Sequence, residues 1–188
     1  MRAKIKTGRD RIAHKGKFLT TIHRGFRGIH GKKEVWEMVK RNIHGRIVGV
    51  VAITPKNEVV MNKIYRVPLK SYVLEFPAGL SDKKGESEVA LARRELLEET
   101  GYVAEKLELL VRTPVYAGLV EDEMAIYLAT DVKKLMDPDY ENAEDIGVIT
   151  IPLSKLYRYL THPPKDLVID MKIFGALYLL ERKGYRIR

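Results

Sequence analysis

The chain has 188 residues, 45% of them hydrophobic and 31% charged, with no cysteine and a net charge of +9. That describes one ordinary globular domain, or a domain with a small appendage, and it excludes a disulfide framework and thiolate chemistry. No apolar run approaches the ~20 residues of a membrane helix, and the basic N-terminus lacks the apolar core of a secretory signal, so the expectation is a cytoplasmic protein that engages no membrane.

Residues 1–33 hold eleven Lys or Arg against one acid, Asp10, so this segment alone accounts for the excess charge. It is either an attractor of nucleotide or nucleic-acid phosphates or a solvated terminus. Its only aromatics are Phe18 and Phe26, which argues against a base-stacking nucleic-acid surface. Strands are predicted at 17–24 and at 34–43, where Val35, Glu37 and Val39 alternate with Trp36, Met38 and Lys40. His44-Gly45 reads as a turn. RIVGVVAIT at 46–54 is strongly β-forming, Pro55-Lys56-Asn57 marks a turn, and 58–65 completes a hairpin. Val73 to Phe76 then leads into Pro77-Ala78-Gly79.

The next segment reads as a helix over 86–100, with Ser87 or a neighbour as its cap and Gly101 as a left-handed stop. Val89, Ala92, Leu96 and, on the flank, Leu97 form its apolar stripe. Glu95, Glu98 and Glu99 fall at i, i+3 and i+4, on one helical face. Like charges so close are best tolerated with a cation among them. A hard divalent ion takes oxygen ligands and keeps positions open for substrate phosphates. The alternative is a surface helix with ordinary ion pairs to Arg93 and Arg94. Further strands are predicted at 104–111, 124–130 and 147–151, a short helix at 152–160 and a long one at 166–183, with Val168, Met171, Ile173, Leu177 and Leu180 as buried candidates. Hairpins and crossovers in this mixture predict an α/β layered domain with a mixed sheet. The portion up to residue 43 reads as a separate small β unit, with the main domain over 44–188.

Glu86, seven residues, then Arg94-Glu95-Leu96-Leu97-Glu98-Glu99-Thr100-Gly101-Tyr102 resembles the signature of the Nudix hydrolases, G-x5-E-x7-R-E-U-x-E-E-x-G-U with U bulky and apolar. The one departure is an extra residue between Gly79 and Glu86. Flanking segments resemble the ADP-ribose pyrophosphatase branch of that family: Trp36-Glu37-Met38-Val39-Lys40-Arg41, Ile64-Tyr65-Arg66, Leu74 to Leu80, Glu144-Asp145-Ile146 and the helix from Asp170 to Leu180. After the signature, the branch's Pro-Gly pair is replaced by Ala117-Gly118.

The resemblance implies a Nudix-type α/β/α sandwich. It implies Mg²⁺, with Mn²⁺ as a possible substitute, held by Glu95, Glu98, Glu99 and the backbone carbonyl of Ala78. Arg94 would orient a glutamate of the helix. Glu86 is a ligand candidate or a stabiliser of the helix terminus. Glu144 would be the general base or water orienter, with Glu141 and Asp145 as rivals in a turn-rich acidic loop. Trp36 would stack on the nucleobase, Arg66 would contact phosphate or ribose, Gly118 would line the substrate loop, and Arg24 and Arg27 would add phosphate contacts. The implied activity is Mg²⁺-dependent hydrolysis of ADP-ribose to AMP and ribose 5-phosphate by a homodimer. Two alternatives remain: another nucleoside diphosphate sugar such as GDP-mannose or ADP-glucose, and an RNA-binding or regulatory protein on the same scaffold.

Overall fold

The computed structural model describes residues 5–42, 45–81, 83–138 and 145–188. The chain divides into two compact units, Met1–Gly45 with Thr113–Met124, and Arg46–Arg112 with Ala125–Arg188.

The first unit is built on three strands, β1 (Lys6–Lys15), β2 (Leu19–Arg27) and β3 (Lys33–Arg41), in that spatial order. Both pairings are antiparallel, with Ile12 opposite Ile22 and Ile22 opposite Met38. Only β2 and β3 were legible beforehand. All ten residues of β1 are exposed, so it shows none of the inside–outside alternation that marks a strand in sequence. Its pairing with β2 is also irregular, with register shifts between Thr7 and Asp10 and between Ile12 and His14. The basic segment expected as a solvated or phosphate-attracting terminus is thus, over Lys6–Lys15, an ordered edge strand. Residues of the 113–124 segment join this unit, with Val120 bridging Val39 and the Val39 N–H donating to the Leu119 carbonyl at 2.9 Å.

The second unit follows from β4 (Ile47–Ile53), β5 (Glu58–Arg66), β6 (Ser71–Glu75) and β7 (Ala78–Leu80). Then come α1 (Glu88–Thr100), β8 (Tyr102–Val103), β9 (Leu107–Pro114), β10 (Glu123–Thr130) and β11 (Lys133–Lys134). The chain ends with β12 (Ile146–Pro152), α2 (Leu153–Thr161), β13 (Leu167–Ile169) and α3 (Met171–Arg182). Eight strands form one sheet along β13-β6-β5-β4-β10-β9, with β12 also on β5 and β7 also on β4. The β13–β6 pair is parallel and the β4–β5, β5–β6 and β5–β12 pairs are antiparallel, so the sheet is mixed, as expected.

Every residue of β4 is buried, because both faces of this central strand are covered. Val48, Val50 and Ala52 pack with Leu91, Ala92 and Leu96 of α1 and with Ala125, Tyr127 and Ala129 of β10. The helix therefore lies on the sheet through Leu91, Ala92 and Leu96. Val89, expected in the stripe, is exposed, because it stands in the first turn about 160° around the helix from Leu91, at the edge of the face that packs on the sheet.

Two helix boundaries differ from expectation. α1 begins at Glu88, after Ser87, whose hydroxyl accepts the Ala90 N–H at 3.2 Å. The long C-terminal helix is a short strand followed by α3. Asp170 caps α3 by accepting the Lys172 N–H at 2.7 Å, and Val168 pairs with Val73 across the sheet. Val168 and Met171 are consequently exposed, Met171 at 80%, whereas Ile173, Leu177 and Leu180 are buried as expected.

Candidate active site

The carboxylate helix is held from three directions. At its C-terminal end Gly101, at φ 74°, returns its N–H to the Leu97 carbonyl at 2.8 Å. A Cβ there would meet the Met136 carbonyl oxygen at 2.0 Å, so both the conformation and the space require glycine. At its N-terminal end Glu88 takes a two-pronged hydrogen bond from Arg112, at 2.9 and 2.6 Å, and one from the Tyr127 hydroxyl at 2.9 Å. The Arg112 hydrogen bond holds the Glu88 carboxyl below the usual carboxylate range. Arg93 leaves the helix to donate to the Ala104 and Glu105 carbonyls, both at 2.6 Å.

Arg94 sits at the centre of the acidic face. Its Nε and Nη2 donate to Glu86 at 3.0 and 3.3 Å, and its Nη1 donates to Glu98 at 2.7 Å and lies 2.9 Å from Glu95. One planar guanidinium thus orders three carboxylates. The Glu86 hydrogen bond, and then that of Glu98, raises the proton affinity of the guanidinium still further. Glu86 acts here as the anchor of Arg94, from the turn just ahead of the helix.

Glu95 is buried against strand β7. It fits because residue 79 is glycine: a Cβ at that position would lie 1.9 Å from Glu95 Cδ and 2.2 and 2.3 Å from its two oxygens. Glu99 faces the sheet, and its Oε2 accepts from Asn62 Nδ2 at 2.6 Å and from the Ala78 N–H at 2.9 Å. Neither donor to Glu99 was anticipated. The signal for Asn62 is a lone amide in the apolar run Val59-Val60-Met61-Asn62.

Among the described residues no three acidic or imidazole groups close on one point as a cation cage. The donors are all hard oxygens, and the glycine cradle brings the Glu95 oxygens up to β7. The donor chemistry of this face therefore fits a hard divalent ion.

The model of the NUDIX domain matches residues 43–171. The chain belongs to the Nudix family. It is 36% identical over 145 residues to the methanol dehydrogenase activator of Bacillus methanolicus, covering 76% of each chain. It is 33% identical over 155 residues to the ADP-ribose pyrophosphatase of Bacillus subtilis, covering 82% of this chain and 80% of that one. A crystal structure of an ADP compounds hydrolase superposes with a TM-score of 0.81 at 24% identity, covering 97% and 96% of the two chains, which supports the fold. As a Nudix hydrolase the protein is an enzyme, and its signature residues Glu86, Arg94, Glu95, Glu98, Glu99 and Gly101 lie together on and around α1.

The remaining expected Nudix positions lie elsewhere. Glu141 and Glu144 fall outside the described residues. Asp145 accepts the Tyr72 hydroxyl, and its carbonyl takes the Tyr65 N–H at 3.0 Å, so the rival base is anchored at the entry to β12. Arg66 binds Glu75 with both prongs, at 2.7 and 2.9 Å.

In the first unit Trp36 is 51% exposed. Its Nε1 donates to the Gly118 carbonyl at 3.0 Å, and its ring stands edge-on to Phe26 with centroids 6.1 Å apart. Trp36, Phe26, Met38, Ala117 and Gly118 line a cavity of about 210 Å³. Beside it Arg24 and Lys40 are shared by Asp10 and Glu121, at 2.5–3.0 Å. Arg24 first, and then Lys40, holds the Asp10 carboxyl well below its usual range. Arg27 donates to the Gly31 carbonyl at 2.6 Å. Among the described residues no helix is long and apolar enough to cross a membrane.

Proposed function

We propose that this Nudix protein hydrolyses ADP-ribose to AMP and ribose 5-phosphate, with Mg²⁺ as its cofactor and Mn²⁺ as a substitute. The observation that carries the reading is the face of α1, where Arg94 gathers Glu86, Glu95 and Glu98 while Gly79 admits Glu95 to the strand. The name of the Bacillus subtilis relative supports ADP-ribose as the substrate.

In the reaction a water oxygen bonds to one phosphorus of the diphosphate as the bridging P–O bond breaks. The bridging oxygen leaves on the other phosphate, and the water proton passes to a base, for which Glu144 is proposed. A divalent ion supplies neutralisation of the diphosphate charge. Glu95, Glu98 and Glu99 hold it, with the Ala78 carbonyl as a further ligand. Arg94 keeps Glu95 and Glu98 from swinging apart under their mutual repulsion. Trp36, Gly118 and Arg66 are proposed substrate contacts, Trp36 by stacking on the nucleobase, and Glu75 fixes the plane of the Arg66 fork. The proposal extends to a cytoplasmic homodimer formed through residues 1–43, with 44–188 as the hydrolase domain.

Release of AMP, GMP and phosphate from a panel of nucleoside diphosphate compounds, with and without Mg²⁺, tests the reading. ADP-ribose turned over fastest, only with metal, and at least about 100-fold more slowly by Glu98→Gln, is the expected result. A Glu98→Gln protein with wild-type turnover overturns it. A second reading keeps the chemistry and changes the sugar nucleotide, to GDP-mannose or ADP-glucose. Ala117 in the cavity beside Trp36 favours it, and the same panel decides.

A further inference from the structure

We infer that Asn62 is a positioning residue for the cation-binding carboxylates, fixing Glu99 from the sheet. It lies in β5 within the buried run Val59, Val60, Met61 and is itself 2% exposed. Its Nδ2 donates to Glu99 Oε2 at 2.6 Å, and the same oxygen takes the Ala78 N–H at 2.9 Å. An ionised carboxylate only accepts, so the amide must turn its nitrogen toward Glu99. Two donors from two strands, β5 and β7, thereby fix one oxygen of a carboxylate in the last turn of α1. Glu99 is tied to the same strand segment, Ala78-Gly79, against which Glu95 rests.

The other half of the amide argues that this role is not one of stability. Asn62 Oδ1 is buried and has no hydrogen-bond partner among the described residues. A buried acceptor without a partner destabilises a fold, whereas an apolar side chain of the same size would pack there without that cost. What the asparagine supplies and a leucine or valine cannot is the donor to Glu99. Groups that orient a ligand from behind set metal affinity by about 10–100-fold even though they never touch the ion.

The inference rests on the reading of the α1 face as a divalent-cation site, and the test separates the two. Mn²⁺ is titrated into the intact, substrate-free protein and its binding followed by loss of the free-ion electron paramagnetic resonance signal. The proteins compared are wild type, Asn62→Leu, Asn62→Val, Glu98→Gln and Glu99→Gln, each with its Tm. The expected result is about ten-fold or more weaker Mn²⁺ binding in both Asn62 variants, with Tm unchanged or raised, and a lower kcat at nearly constant KM. Wild-type Mn²⁺ affinity in both Asn62 variants, with binding lost in Glu99→Gln, overturns the role of Asn62 and leaves the cation site standing. Wild-type affinity in Glu99→Gln and in Glu98→Gln as well overturns the cation site, and the inference with it. A lower Tm, or failure to fold, in both Asn62 variants marks the amide as a structural residue and also overturns the inference.

Discussion

Glu95 and Gly79 occupy the same space up to the limit of one missing methyl group: a Cβ on residue 79 would lie 1.9 Å from the Glu95 carboxyl carbon. The glycine is thus a spatial requirement of the carboxylate rather than a turn residue. Gly79→Ala must displace either Glu95 or strand β7. Overpacking of this kind costs about 1–3 kcal/mol, or roughly 2–12 °C in Tm for a chain this long. Turnover is expected to fall at least about 100-fold, since the displaced group is a proposed cation holder. Steady-state kinetics beside a thermal melt checks both, and wild-type kcat in the folded variant would show that Glu95 is not needed where it sits.

Arg94→Lys keeps the positive charge but loses the fork that spans Glu86, Glu95 and Glu98. A lysine reaches one of these carboxylates well and leaves the others to repel. With charge-assisted hydrogen bonds at about 1.5–3 kcal/mol each, kcat/KM is expected to fall about 10–150-fold while far-ultraviolet circular dichroism stays unchanged. Equal kcat/KM for Lys and Arg would reduce Arg94 to a charge.

Glu88 ties pH to stability. Its carboxyl is held below the ordinary value of 4.5, chiefly by Arg112. The stabilisation is therefore fully present above the unfolded-state value and is lost as pH falls through the lower folded-state value. Glu88→Gln is expected to lower Tm by several degrees at pH 7, and the gap to wild type should narrow as pH falls below the ordinary glutamate value. A gap that persists undiminished at pH 2–3 would mean the effect is packing rather than charge.

Chelation should abolish turnover, and restored Mg²⁺ or Mn²⁺ should raise Tm. At an ion concentration about 100-fold above Kd the gain is about 2.7 kcal/mol, roughly 5–11 °C. Differential scanning calorimetry of wild type and Glu98→Gln with and without the ion measures it. The shift is expected in the first protein and largely lost in the second.

The chain has one tryptophan, Trp36, and its ring is half exposed beside Gly118. Stacking on a nucleobase should quench its fluorescence. Trp36→Ala should raise KM about 5–150-fold, from about 1–3 kcal/mol of stacking, and leave kcat within about three-fold. Unchanged fluorescence on saturation with substrate would remove Trp36 from the binding surface.

The carboxylate face was legible because it is written at helical spacing. Glu95, Glu98 and Glu99 share a face whatever the helix packs on, and Gly101 stops any helix there. The mixed sheet followed from apolar runs such as 46–54, whose burial is complete in β4. What sequence spacing does not encode is contact across the chain. The sequence assigns Glu86 no partner, and in the structure Arg94 grips it. β1 reads as a loose basic terminus because all ten of its residues are exposed, and what orders it, its pairing with β2 and the bonds of Asp10 to Arg24 and Lys40, lies across the sheet. The strand β13 reads as helix because its pairing partner, β6, lies almost a hundred residues earlier. Gly79 and Asn62 matter through what stands against them, a carboxylate in each case. The residue types and their helical period set which carboxylates share one face of α1. Only the tertiary structure decided which neighbours hold them in place, because hydrogen bonds and steric limits act through space between residues the sequence keeps far apart.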